Sequence, residues 1–265
     1  MDQILYEAAD GVAVITLNRP EAANAQTGAL LDELDAAWMR AAADDDVRVI
    51  VLKANGKHFS AGHDLKGGGN GAAPAKITLE EIYSIESRRY LEYTLRWRNV
   101  PKPSIAAVQG KCIAGGLMLC WPCDLIVAAE NAEFSDPVVH MGIGGVEYHG
   151  HTWELGPRKA KEILFTGRGV TAEEAEKVGM VNKVVPLDDL EASAMELAAQ
   201  IARMHPFALR QAKRAVNQTL DVQGFYAAIQ SVFDIHETGH GNALSVGGYP
   251  VLMRLDGMKD KLKSQ

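Results

Sequence analysis

Residues 101–124 read PKPSIAAVQGKCIAGGLMLCWPCD, and the fold turns on how this stretch is interpreted. Ser104 to Val108 is an apolar run closed by Gln109-Gly110, which predicts a buried strand. Ala114-Gly115-Gly116 then opens a second apolar run with no Ser, Asp or Asn cap, so the first N–H groups of the helix lack side-chain partners. A glycine pair there lets a ligand approach the main chain, and the helix dipole favours a negatively charged oxygen. Close packing of a buried helix needs the same glycines, so the pair alone does not choose between packing and an anion site.

Residues 59–65, FSAGHDL, form a second loop of small residues after an expected strand at Val47–Lys53. Two such loops can supply one N–H each to a single oxygen. Around them, Ile4–Tyr6 and Val12–Leu17 predict a hairpin, and Leu30, Leu31, Leu34 and Trp38 recur at helical spacing over Thr27–Ala43. The strand, loop and helix unit repeats with the helix at Glu80–Asn99, with Ser104–Val108, and with Leu125–Ala129. That repetition suggests a spiral of strand and helix turns. Residues 67–74, GGGNGAAP, are either a linker or a mobile wall of the site. Past Pro186 the pattern is helical: Leu190–His205, Phe207–Leu220, Gln223–His236 and tail helices near 251–262.

The chain has 265 residues, 47% of them hydrophobic, enough for a sizeable core and near the upper limit of one domain. A net charge of −7 and no block of Lys or Arg argue against nucleic acid and acidic membranes as partners. There is no run of 18 uncharged apolar residues, and the start MDQILYEAADG has no basic or apolar leader region, so a soluble, cytoplasmic protein is expected. Cys120-Trp-Pro-Cys123 has a redox spacing but lies in an apolar run, and buried packing is the expectation for it and for Cys112.

Taken together, LNRP (17–20), FSAGHDL, PKPSIAAVQG, Cys123-Asp124, AEF (132–134), AKEILFTG (160–167) and AEEAEKVGMVN (172–182) resemble the enoyl-CoA hydratase/isomerase, or crotonase, superfamily nearly end to end. The resemblance implies an α/β fold, a ββα spiral core over residues 1–199 carrying an acyl-CoA site, followed by a helical region at 200–265 that assembles trimers or paired trimers. It implies an acyl-CoA substrate whose thioester oxygen is held by the backbone N–H groups of His63 and Gly115. The His63 imidazole is expected to face solvent. Ala22, Ala23, Ala61, Asp64, Leu65 and Gly116 fall on the substrate groove. Coenzyme A enters as part of the substrate, with no permanently bound cofactor and no metal expected.

The two glutamates of family hydratases fall on Met118 and Val138, neither of which can move a proton. The segment from His140 to Glu154 offers substitutes. Glu147 is expected to supply acid–base chemistry, partnered by His140 or His149. If residues 137–141 form a strand, His140 points the same way as Val138. Glu147 has a structural alternative, pairing with Arg158 or facing solvent, and His151 with Glu154 would in that case lie exposed on a helix. His149 and His151 are also close enough in sequence to suggest a metal site, which the family does not need. Three functions follow: an atypical hydratase or isomerase, a thioester or C–C bond hydrolase using the 140–154 loop, or a silent acyl-CoA binder.

Overall fold

A computed structural model describes residues 2–65 and 77–253. It opens with strands β1 (Ile4–Ala9) and β2 (Val12–Leu17), helix α1 (Gly28–Ala43) and strand β3 (Val49–Ala54). Helix α2 (Leu79–Glu86) runs through a π-helical segment, Ser87–Glu92, into α3 (Tyr93–Arg98). The quoted stretch gives β4 (Ser104–Val108), β5 (Lys111–Ile113), a 3-10 turn at Ala114–Gly116 and α4 (Leu117–Cys120). Strands β6 (Leu125–Ala129) and β7 (Glu133–Ser135) follow, then a 3-10 turn at Pro137–Met141 and α5 (His151–Thr166). Beyond lie β8 (Val170–Thr171), α6 (Ala172–Lys177), β9 (Lys183–Val185), α7 (Leu190–Ala202), α8 (Pro206–Val222) and α9 (Phe225–Gly247).

Six strands make one sheet in the order β1-β2-β3-β4-β6-β9; β1 is antiparallel to β2 and every other pair is parallel. Parallel strands are covered on both faces, which is why β4 is buried at all five positions. One face packs on α1, α3, α4 and α9 through residues such as Leu34, Trp38, Trp97 and Phe233. The other packs on Leu190, Ala194 and Ala198 of α7. A second sheet, β5-β7-β8, stands beside the first, and single bridges extend it by Ser60 to Cys112 and by Gln26 to His63. Each turn of the chain thus adds a long strand to one sheet and a short rung to the other: the expected ββα spiral.

Three local expectations are corrected. Residues 137–141 are a 3-10 turn, not a strand, because Asp136 caps it through the Val138 N–H and Gly142 ends it at φ 86°. The helix expected over 80–99 is divided by the π-helical segment, which places Tyr90 and Leu91 in the core. Val251 and Leu252 lie in bends, and residues 254–265 of the expected tail helices fall outside the described residues, as do 67–74. All three cysteines are free and buried, with Cys112 and Cys120 sulfurs 3.8 Å apart. Burial pushes the Cys120 and Cys123 thiols well above their usual range, which suits packing rather than thiolate chemistry.

No helix among the described residues is long and apolar enough to cross a membrane. Helix α8 has no fully buried residue and exposes Phe207, Val216 and Val222.

Candidate active site

The two glycine loops meet. Gly62 has φ 83°, a left-handed backbone, and a Cβ there would lie 2.7 Å from the Ile113 carbonyl and 3.1 Å from the Gly115 nitrogen. Only glycine allows this approach. Gln26 ties the loops together: its N–H donates to the Gly62 carbonyl at 2.8 Å, its own carbonyl accepts from the Asp64 N–H at 3.0 Å, and its side-chain amide donates to the Gly115 carbonyl at 2.7 Å. Pairing through residues 62 and 64 leaves the intervening His63 N–H on the edge away from Gln26.

The His63 side chain does not face solvent as expected. Its ring lies over Gly115, so that a Cβ on that glycine would come within 2.7–2.8 Å of Cδ2 and Nε2. Tyr90 holds it there by stacking, with ring centroids 4.0 Å apart. Without the π-helical segment Tyr90 would sit at a different angle on its helix, and such segments recur at functional sites.

Glu147 completes the group. Only 1% exposed, it places Oε1 3.6 Å from His63 Nε2 and 3.9 Å from His236 Nε2. Its other oxygen is buried without a hydrogen bond. A buried carboxylate oxygen left unpaired costs about 1–3 kcal/mol or more, so a bound partner there would offset the cost. Glu147 is neither exposed nor placed on Arg158, which lies at the surface. Its position comes from Asp136, a fully buried residue that accepts from the Val146 N–H at 2.9 Å and pairs with His151 at the same distance. Burial alone would raise the Asp136 pKa, but His151 and the backbone donors outweigh it and lower it.

The expected partners of Glu147 are elsewhere. His140 packs against Gly167, whose Cβ would fall 2.5 Å from the His140 Nε2. His149 turns back onto Gly145 and stacks near His151, ring centroids 4.3 Å apart. Burial, aided by His151, lowers its pKa to about 4. The expectation for His140 rested on a strand over 137–141, which is in fact a 3-10 turn. His151 is not exposed on a helix but fully buried against Asp136 and Trp121. Glu154 is half-buried, and burial, only partly offset by Arg98, raises its pKa to about 7.

What replaces His140 and His149 comes from distant helices. Glu86 ends α2, and His236 and His240 lie one turn apart on α9. His236 Nε2 is 3.1 Å from Glu86, and burial notwithstanding, Glu147 and Glu86 raise its pKa to about 10. A sequence signal for this existed, two histidines four residues apart around Glu237, but nothing local connects it to residue 147.

The Enoyl-CoA hydratase/isomerase family model matches residues 7–241. This chain belongs to that family. EchA13 of Mycobacterium tuberculosis, which carries the provisional name of an enoyl-CoA hydratase, is 45% identical over 93% of this chain and 83% of its own length. A crystal structure described as a probable enoyl-CoA hydratase from Mycobacterium smegmatis is 75% identical, with a TM-score of 0.91 over 95% of this chain and 100% of that one. A third, likewise described, from Mycobacterium thermoresistibile, is 77% identical, with a TM-score of 0.90 over 94% and 98%. The chain is therefore an acyl-CoA-processing enzyme of the enoyl-CoA hydratase/isomerase family.

Against that family background, the remaining expected residues fall as follows. Ala22 and Ala23 form a half-buried turn beside Ala61, whose N–H donates to the Ala23 carbonyl at 2.9 Å. Leu65 is exposed. Asp64 is buried and accepts from Arg19 at 3.1 Å, which ties its loop to the turn after β2. Gly116 presses on the Ser60 carbonyl, where a Cβ would lie at 2.8 Å. Met118 is 1% exposed, and its sulfur accepts from the Tyr148 N–H at 3.5 Å, directly beneath Glu147 in the chain. Val138 is half-buried on the 3-10 turn.

Proposed function

We propose that the enzyme polarises an acyl-CoA thioester between the backbone N–H groups of His63 and Gly115 and moves a proton at the neighbouring carbon with Glu147. The observation that supports this reading is the seating of Glu147 Oε1 3.6 Å from the His63 ring that lies over Gly115, with Oε2 buried and without a hydrogen bond. A thioester enolate carries its charge on oxygen, and each preorganised N–H aimed there contributes about 2.7–4 kcal/mol at the transition state. Met118 and Val138 offer no proton, so one carboxylate does the work that two share in family hydratases. His63 and His236, flanking Oε1, orient the carboxylate and balance its charge. The result is an atypical hydratase or isomerase.

A mass-spectrometric screen of the purified enzyme against a panel of acyl-CoAs tests the reading. Conversion by the wild type, lost in Glu147→Gln, supports it. Release of free CoA would favour a hydrolase, and binding without any conversion would favour a silent acyl-CoA binder.

Residues 200–265 are proposed to assemble trimers or paired trimers, because the apolar residues exposed on α8 need a surface to cover them. Light scattering at micromolar concentration should give a mass of three or six chains; a monomer would refute this.

A further inference from the structure

Beyond the place of His236 beside Glu147, the side chains of His236, His240 and Glu86 converge on one another. Each histidine turns its Nδ1 to a backbone carbonyl: His236 to Gly145 at 2.7 Å and His240 to Pro250 at 2.6 Å. A carbonyl only accepts, so each Nδ1 carries a proton, and in the neutral ring each Nε2 is a bare lone pair. The two Nε2 atoms lie 3.2 Å apart, and both face one oxygen of Glu86, at 3.1 Å from His236 and 3.5 Å from His240. The three atoms thus converge on one point, where a single cation can be shared by all of them.

From this geometry we infer that Glu86, His236 and His240 form a binding site for a divalent transition metal of the zinc type. Zinc bonds of about 2.0–2.1 Å at tetrahedral angles separate neighbouring ligand atoms by roughly 3.3 Å. The three separations here, 3.1, 3.2 and 3.5 Å, bracket that value. Two imidazoles and one carboxylate suit zinc or its neighbours, whereas calcium and magnesium prefer all-oxygen ligands. Anchoring of Nδ1 by a carbonyl is also how metal-binding histidines are commonly held, since it fixes both tautomer and ring direction. The rings are held from outside their own helix, by the loop leading to Glu147 and by the chain beyond α9.

The helix sequence supplies a second argument. Glu86, Glu147 and Glu237 gather around these two histidines, with Glu147 and Glu237 among the buried residues. The sequence here, His236-Glu237-Thr238-Gly239-His240, sets two histidines four residues apart on one face of a helix with a glutamate between them, the arrangement by which helices present histidine pairs to zinc.

The test uses the full-length protein, stripped with a chelator and titrated with Zn²⁺ by calorimetry at pH 8, with no acyl-CoA present. Co²⁺ serves as a spectroscopic probe, since a four-coordinate nitrogen and oxygen site gives it intense visible absorption. One equivalent of metal per chain is expected, with His240→Ala and Glu86→Gln each weakening binding about 100-fold, at or beyond the upper end of the loss seen for residues that only support ligands. Two variants at different elements guard against a single misfolded one, and circular dichroism checks each. No binding at one equivalent by the wild type, or unchanged affinity in folded His240→Ala, overturns the inference. Because metal binding is read directly, the outcome is independent of whether Glu147 moves a proton.

Discussion

His63 and Tyr90 stack with ring centroids 4.0 Å apart and planes 18° from parallel. This contact turns a loop residue that would otherwise face solvent into one wall of a buried site, with Nε2 3.6 Å from Glu147. It links a backbone irregularity, the π-helical segment carrying Tyr90, to the position of a carboxylate contributed by a loop more than fifty residues further along.

A stacked aromatic pair is worth about 0.5–1.5 kcal/mol beyond the area it buries. Tyr90→Phe keeps the ring and should leave kcat within a few-fold of wild type. Tyr90→Ala frees the imidazole and should lower kcat about tenfold, at that energy scale, while the protein stays folded. Equal kcat in the wild type and a folded Tyr90→Ala would show that the stack does not position His63.

Crotonyl-CoA should be hydrated poorly. General acid–base catalysis typically supplies about 10²–10⁴-fold for each well-placed group, and Met118 and Val138 occupy both positions from which family hydratases supply it. A steady-state assay should find turnover well below the median enzyme rate of about 10 s⁻¹. A rate above about 10² s⁻¹ would show that the loss of carboxylates at Met118 and Val138 does not impair hydration, against this reading.

Burial and the neighbouring His151 lower the His149 pKa to about 4, below its ordinary 6.5. Between those values the unfolded chain binds the proton that the folded chain refuses, so stability rises with pH there. The contribution is fully present above pH 6.5 and is lost as pH falls towards 4. Replacing the ring with a neutral one, His149→Phe, should flatten the fall of Tm between pH 6.5 and 4 relative to wild type. Parallel curves for the two proteins would contradict it.

Much of the fold could be read from local pattern. The apolar runs of β2, β4 and β6 begin and end where the sequence predicts, because flanking glycines, prolines and turns bound them. The two glycine loops were also legible, since Gly62 and Gly115 are demanded by backbone conformation and close approach. Less visible was the neighbourhood of Glu147. The residue itself could be picked out as a carboxylate after a glycine-rich loop, but its partners could not, because His63 and His236 reach it from two distant parts of the chain. The period-two argument that favoured His140 failed at Pro137, where an aspartate-capped turn replaced the assumed strand.

In the proposed reaction Glu147 takes a proton from the carbon beside the thioester. Butyryl-CoA, which has no double bond to hydrate, can be incubated with enzyme in D₂O and followed by mass spectrometry for deuterium at that carbon. Exchange is expected with the wild type, and a rate lower by about 10²–10⁴-fold with Glu147→Gln, the usual contribution of a general base. Exchange at equal rates in both proteins, or none with the wild type, would contradict it.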